Sequence, residues 1–165
     1  MYRVHHTEAI IFAYADRGEA DRLYVMYTKD HGKLSIFAKG VRHEKSKLRY
    51  HLSLFARVRV SFVEGKDILR LIDAEELEAP SADERAWFIA RRSAAFICRM
   101  VAGSERDVGL WGVIAPAFRM FATARSIPAL FEDEFKARVL HQLGYLEDER
   151  ANADAVREAL VASGL

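Results

Sequence analysis

Residues 22–38 read Arg22-Leu23-Tyr24-Val25-Met26-Tyr27-Thr28-Lys29-Asp30-His31-Gly32-Lys33-Leu34-Ser35-Ile36-Phe37-Ala38, and the class of the N-terminal part follows from them. Arg22 to Thr28 is built around Leu23-Tyr24-Val25-Met26-Tyr27, a run of aromatic and aliphatic side chains that suits a pleated, half-buried surface. Lys29-Asp30-His31-Gly32 has turn chemistry. Lys33 to Ala38 then alternates with period two, Leu34, Ile36 and Ala38 falling on one face. Two such runs joined by a short polar turn predict an antiparallel hairpin.

The same signals extend in both directions. Upstream, Val4 to Tyr14 carries Ala9-Ile10-Ile11-Phe12-Ala13-Tyr14 and leads into the turn Asp16-Arg17-Gly18-Glu19, so a first strand and a first hairpin are expected. Downstream, Gly40 ends the third strand. Val41 to Tyr50 is too basic and too weakly periodic for a buried strand, and reads as an exposed connection with one helical turn. Leu54 to Glu64, with Phe55, Val58, Val60 and Phe62 as its apolar members, and Ile68 to Leu77, after Gly65-Lys66-Asp67, complete five strands. Closing five short strands into a barrel removes the exposed edges of an open sheet, and an OB-fold-like barrel is expected. An SH3-like barrel has a similar strand count, and spacing alone does not separate the two.

At Ala79-Pro80-Ser81-Ala82-Asp83 the period changes. Ser81 or Asp83 can cap a helix in which Ala86, Ile89, Ala90, Ser93, Ile97, Met100 and Val101 recur every three or four residues up to Gly103. Ser104 with Asp107 resembles a cap for a second helix carrying Val108, Trp111, Ile114, Phe118 and Phe121; Pro116 removes a donor there, so a kink or break near Ile114 is expected. A third helix spans about residues 129–143, with Phe131, Phe135, Val139 and Leu143 on one face, a Glu134/Arg138 pair and Gly144 as terminator. A short fourth covers Asn152 to Ala162. The fold class is α+β: a five-stranded barrel in residues 1–79 followed by an all-α helical domain in residues 80–165.

The chain has 165 residues, 51% hydrophobic and 30% charged, which excludes disordered and collagen-like classes. Charged residues interrupt every apolar run well short of the roughly 20 residues that cross a bilayer, so no membrane partner is expected. The N-terminus lacks a basic-then-apolar leader, and a cytoplasmic location is expected. One cysteine, Cys98, excludes an internal disulfide and any multi-thiolate zinc site. The net charge of +1 hides an asymmetry: residues 1–72 carry 14 Lys and Arg against 8 Asp and Glu, whereas residues 73–165 carry 11 against 16.

The excess is concentrated in residues 29–59, where Lys29, Lys33, Lys39, Arg42, Lys45, Lys47, Arg49, Arg57 and Arg59 face only Asp30 and Glu44. A solvated face can carry such a run. Clustered cations are also what a polyanion rewards, because each neutralised phosphate releases condensed counterions. Lys33, Lys39, Arg42, Lys45, Lys47, Arg49, Arg57 and Arg59 are therefore candidate DNA-backbone contacts, those from Lys39 to Arg49 on a loop and Arg57 and Arg59 alternating with Val58 and Val60 on a strand. Tyr50, within the basic loop, is the candidate base-stacking residue. Tyr14, Tyr24, Tyr27 and Phe37 read as core. No base-reading helix is evident, which suggests backbone recognition with little sequence preference.

No catalytic residues, metal site or cofactor are expected. His5 and His6 with Glu8 resemble a ligand cluster only on paper, since adjacent strand residues point to opposite faces. No phosphate-binding glycine loop, paired-carboxylate motif or activated nucleophile is recognisable. Asp21 and Arg22 read as a turn or surface ion pair.

The run Gly18-Glu19-Ala20-Asp21-Arg22, then Gly32-Lys33-Leu34, Ala38-Lys39-Gly40-Val41-Arg42, Lys45-Ser46-Lys47-Leu48, Leu52 and Phe55 resembles the N-terminal domain of the RecO family of bacterial DNA repair proteins over roughly residues 5–79. A weaker echo, Phe131-Glu132 through Phe135 and Val139-Leu140-His141-Gln142-Leu143-Gly144-Tyr145, resembles a helix of that family's helical domain. The resemblance implies an OB-fold barrel, a helical domain and the role of a non-catalytic recombination mediator. Such a protein binds single- and double-stranded DNA, anneals strands, and works with RecR to load RecA onto DNA coated by the single-stranded-DNA-binding protein. It also implies that the acidic, hydrophobic C-terminal tail of the latter binds the helical domain, for which Arg85, Arg92 and Arg99, seven apart on the first helix, are the candidate contacts. The chain is shorter than a typical member, which implies a reduced helical part, and it lacks the four-cysteine zinc module of many members. A protein-interaction adaptor and an RNA-binding OB module are the alternatives to a DNA-binding mediator.

Overall fold

The computed structural model describes residues 3–150 and 152–164. Five strands, β1 (Val4–Arg17), β2 (Asp21–Thr28), β3 (Gly32–Ala38), β4 (Arg57–Glu64) and β5 (Leu69–Glu78), close into a barrel in the order β1-β2-β3-β5-β4. All neighbours run antiparallel except β3 and β5, which pair parallel through Ile36 with Leu69 and Phe37 with Arg70. This closure is the OB arrangement, and it separates the two barrel types that strand spacing left open. Four helices follow: α1 (Glu84–Met100), α2 (Val108–Thr123), α3 (Phe131–Gln142) and α4 (Ala153–Ala162). None is long and apolar enough to cross a membrane.

Two apolar clusters hold the molecule. The first fills the barrel with Ala9 and Ile11, Tyr24 and Met26, Leu34 and Ile36, Val58, Val60 and Phe62, and Leu71 and Ala74. In β1 to β4 these are alternate residues, as a one-sided burial demands; in β5 a register shift against β4 between Ser61 and Phe62 spaces Leu71 and Ala74 three apart. The second joins the barrel wall to the helices. Ile10, Phe12 and Tyr27 face outward from β1 and β2 and meet Leu110, Ile114 and Phe118 of α2 and the buried face of α1. Residues 9–12 are therefore continuously apolar because both faces of β1 are covered. A bulge between Ile11 and Ala13 re-aims the strand at Phe12, whose ring lies 5.2 Å from that of Phe118. Tyr27 stacks on Trp111 at 6.4 Å.

The connection from Ala38 to Arg57 holds one 3-10 turn, Leu48–His51, in line with the expected exposed link. Val41 and Leu52 are buried within it and pack on the barrel interior. β4 starts at Arg57 rather than at Leu54. Phe55, expected as a strand member, instead adopts φ 66° and turns its ring out of the barrel toward the helices.

The helix caps follow the chemistry of their sequences. Asp83, Asp107 and Asn152 each accept from the backbone N–H three residues on, at 2.8, 2.8 and 3.0 Å. Gly144 at φ 82° ends α3, with Tyr145 N–H donating to the Leu140 carbonyl at 2.8 Å and Gly144 N–H to that of His141 at 3.0 Å, the hydrogen-bond pair of a Schellman motif. α2 runs through Pro116 as one helix, without a break, its buried face, Leu110, Ile114, Ala117, Phe118 and Phe121, being held on both sides of the proline. One expectation fails. The i,i+4 ion pair on α3 joins Glu132 to Lys136 at 2.9 Å, not Glu134 to Arg138.

Candidate nucleic-acid interface

The barrel end from which the β1–β2 hairpin projects carries the basic connection. Beyond the bulge, residues 13–17 of β1 are all exposed and pair with β2 alone, so this arm of the hairpin overhangs β4. Four bonds tie the connection to this overhang. Gly40 N–H donates to Asp21 Oδ1 at 2.6 Å and Arg42 N–H to the Ala20 carbonyl at 2.9 Å. The Arg42 guanidinium donates to the Gly18 carbonyl at 3.2 Å and stands 3.6 Å from Asp16. Asp21 and Arg22, read together as a turn or a surface ion pair, take separate partners, Asp21 accepting from Gly40 and Arg22 Nε reaching Asp16 Oδ1 at 2.7 Å. That guanidinium holds the Asp16 carboxyl below the usual carboxylate range, with Arg42 adding to the effect.

The cations of the connection divide by what they touch. Lys39, Lys45, Lys47 and Arg49 are exposed, and none has a carboxylate within 4.0 Å among the described residues. Arg42 is exposed but shared with Asp16. The Arg49 guanidinium lies over the ring of Tyr50, 4.8 Å from its centroid, and Tyr50 is 64% exposed. A flat, exposed ring under a guanidinium is a surface on which an unpaired base can stack.

Arg57, Arg59 and Lys33 lie elsewhere. Arg57 and Arg59 do alternate with buried Val58 and Val60, but their charges are already met. Arg57 reaches Glu8 at 3.2 Å and Glu78 at 3.4 Å, and Arg59 reaches Glu75 at 2.7 Å. Glu78 also holds Arg119 of α2 at 3.3 Å, so this network ties the barrel to the helices. Lys33 points from β3 toward α1 and donates from Nζ to the Cys98 carbonyl at 2.8 Å. It satisfies one of the carbonyls that the C-terminus of α1 leaves without an intrahelical donor.

His5, His6 and His31 occupy the opposite strand ends. His5 stacks on Phe62 at 5.1 Å, meets His31 edge-on at 5.3 Å and reaches Glu64 at 3.2 Å. His6 is on the other face, its Nδ1 2.8 Å from Ser61 Oγ.

On α1 the row Arg85, Arg92 and Arg99 is exposed. Arg92 and Arg99, with Ala95 and Phe96 between them and Lys136 and Leu160 across from them, line a groove of about 250 Å³. One carboxylate, Glu132, stands in it and lies 2.9 Å from both Arg92 Nε and Lys136 Nζ. Arg85 lies outside this groove.

Residues 1–79 match the family model described as recombination protein O N terminal. The chain is also similar to proteins described as DNA repair protein RecO. One, from Bifidobacterium adolescentis, is 31% identical over 147 residues, covering 86% of this chain and 60% of that protein. Another, from Desulforudis audaxviator, is 31% identical over 149 residues, covering 86% and 57%. The match to a third, from Heliobacterium modesticaldum, is 35% identical over 80 residues, or 48% of this chain. The chain thus spans roughly 60% of the length of the curated relatives that it matches over most of its own.

Proposed function

Because the chain belongs to the RecO family of DNA repair proteins, we propose that it is a DNA-binding recombination mediator that works without catalysis. In this reading residues 1–79 hold DNA by its backbone, and residues 80–165 recruit protein partners. The observation that carries it is the set of exposed cations Lys39, Lys45, Lys47 and Arg49 without carboxylate partners within 4.0 Å, joined through Arg42 to the β1–β2 hairpin. Free cations on one loop can neutralise several phosphates at once, whereas Lys33, Arg57 and Arg59 would have to leave existing partners first. Neutralising both strands lowers their repulsion and favours annealing. RecR, RecA loading and a cytoplasmic, nucleoid-associated location belong to this reading through the family.

The α1–α3–α4 groove is the proposed seat of the acidic C-terminal tail of the single-stranded-DNA-binding protein. Arg92, Arg99 and Lys136 would meet its carboxylates while Phe96 and Leu160 take its apolar end. The deciding experiment is a salt-titrated comparison of single-stranded DNA, duplex DNA and RNA of equal length. DNA binding that weakens steeply with salt supports the reading. Preference for RNA in direct competition favours a translation-type OB module. Pull-down of RecR without binding to any nucleic acid favours an adaptor.

A further inference from the structure

We infer that Tyr14, held beneath Arg22 on the overhanging hairpin, is a base-stacking station that gives this barrel end a preference for single-stranded over duplex DNA. The inference rests on the DNA-binding reading and adds to it a ring, a position and a strand type. Tyr14 and Tyr24 are direct cross-strand partners, and their rings lie 5.9 Å apart. Their environments differ sharply: Tyr24 is 1% exposed within the barrel core, whereas Tyr14 is 43% exposed. A cross-strand aromatic pair with a purely structural role gains most by burying both rings. Here the pair passes from the core out to solvent.

The Arg22 guanidinium is centred 4.1 Å over the Tyr14 ring and is fixed there by Asp16 at 2.7 Å. The guanidinium thus covers one face of the tyrosine ring at the hairpin end. Both planes are surfaces that unpaired bases use. The Asp16 carboxylate, which would repel phosphate, is engaged by Arg22 and Arg42. Arg42 also bonds Gly18 at the hairpin tip, so a strand with phosphates on Lys39, Lys45, Lys47 and Arg49 is led toward Tyr14. Duplex bases are stacked on one another and offer no free face, while single-stranded bases do.

The test compares oligo(dT) with an equally long abasic deoxyribose-phosphate chain, measuring affinity by fluorescence anisotropy for the full chain and its variants. Tyr14→Ala should weaken oligo(dT) binding roughly tenfold, within the range of one base–aromatic stack, and leave the abasic chain unaffected. Tyr14→Phe should restore oligo(dT) binding, since the ring acts and the hydroxyl does not. Tyr14→Leu, which keeps apolar packing against Tyr24 without a π face, should behave like Tyr14→Ala if its unfolding midpoint stays near that of the parent. Equal weakening on both chains, or oligo(dT) binding by Tyr14→Leu at the parent's strength, overturns the stacking role alone. Failure of the parent to bind either chain overturns the DNA reading, and the stacking role with it.

Discussion

Phe55 meets Trp87 edge-on, ring centroids 5.3 Å apart and planes at 68°, so the last residues of the basic connection are clamped to the first turn of α1. Phe55 makes this contact from φ 66°, the only non-glycine residue with positive φ among the described residues. Its N–H donates to the Ile11 carbonyl at 2.8 Å, which fixes the unfavourable conformation. The barrel and the helices thus share a ring that the sequence alone reads as a member of the fourth strand.

Replacing Phe55 should expose both terms. Phe55→Ala removes a buried ring at a cost of about 3 kcal/mol. Phe55→Gly removes the same ring but relieves a left-handed backbone that costs other residues about 1–2 kcal/mol. The glycine variant should therefore be as stable as the alanine variant or more so, the reverse of the usual order, in urea unfolding followed by far-UV circular dichroism.

Gly32 and Gly18 separate strain from steric clash. Both have positive φ, 63° and 55°. A Cβ on Gly32 would collide with the backbone of Glu105 in the α1–α2 connection, whereas one on Gly18 meets nothing within 4 Å. Gly18→Ala should cost about 1 kcal/mol, and Gly32→Ala clearly more, with the extra destabilisation falling on the barrel–helix contact. Thermal unfolding midpoints of the two variants measure the difference.

Mild acid should weaken the fold through His31. Burial lowers the pKa of this imidazole, and His5 and Arg3 lower it further against the opposing pull of Asp30 and Glu64. The native state therefore binds this proton less readily than the unfolded chain does. The stability His31 contributes is present above the ordinary histidine range near 6.5 and is lost as pH falls below it. Unfolding midpoints should drop between pH 7.5 and 5, and His31→Asn should flatten part of that slope.

The strands were legible because burial on one face writes period two into Lys33 to Ala38 and into Arg57 to Phe62. The helix starts were legible because Asp83, Asp107 and Asn152 carry their capping chemistry locally. Phe55 was not, since an apolar residue beside Leu54 looks the same whether it enters the barrel or leaves it. Nor were the fates of the cations. Arg57 is neutralised by Glu8 and Glu78, which are 49 and 21 positions away along the chain, and Lys33 is hydrogen-bonded to a carbonyl 65 positions away. Such partners are set by barrel register and helix docking, so charge density located the basic connection but could not sort its free cations from its engaged ones. Tyr14 was missed for the same reason. Its exposure depends on the bulge at Phe12 and the overhang beyond it.

The proposed electrostatic grip is tested most directly by the salt dependence of single-stranded DNA affinity in a Lys39→Ala, Lys45→Ala, Lys47→Ala, Arg49→Ala variant, with Lys33→Met as control. The quadruple variant should bind more weakly, and the slope of log K against log salt should flatten by about 0.7 for each phosphate that is no longer neutralised. Lys33→Met should lose stability but keep the parent slope, because its ammonium serves the end of α1. A quadruple variant with the affinity and slope of the parent would contradict the account.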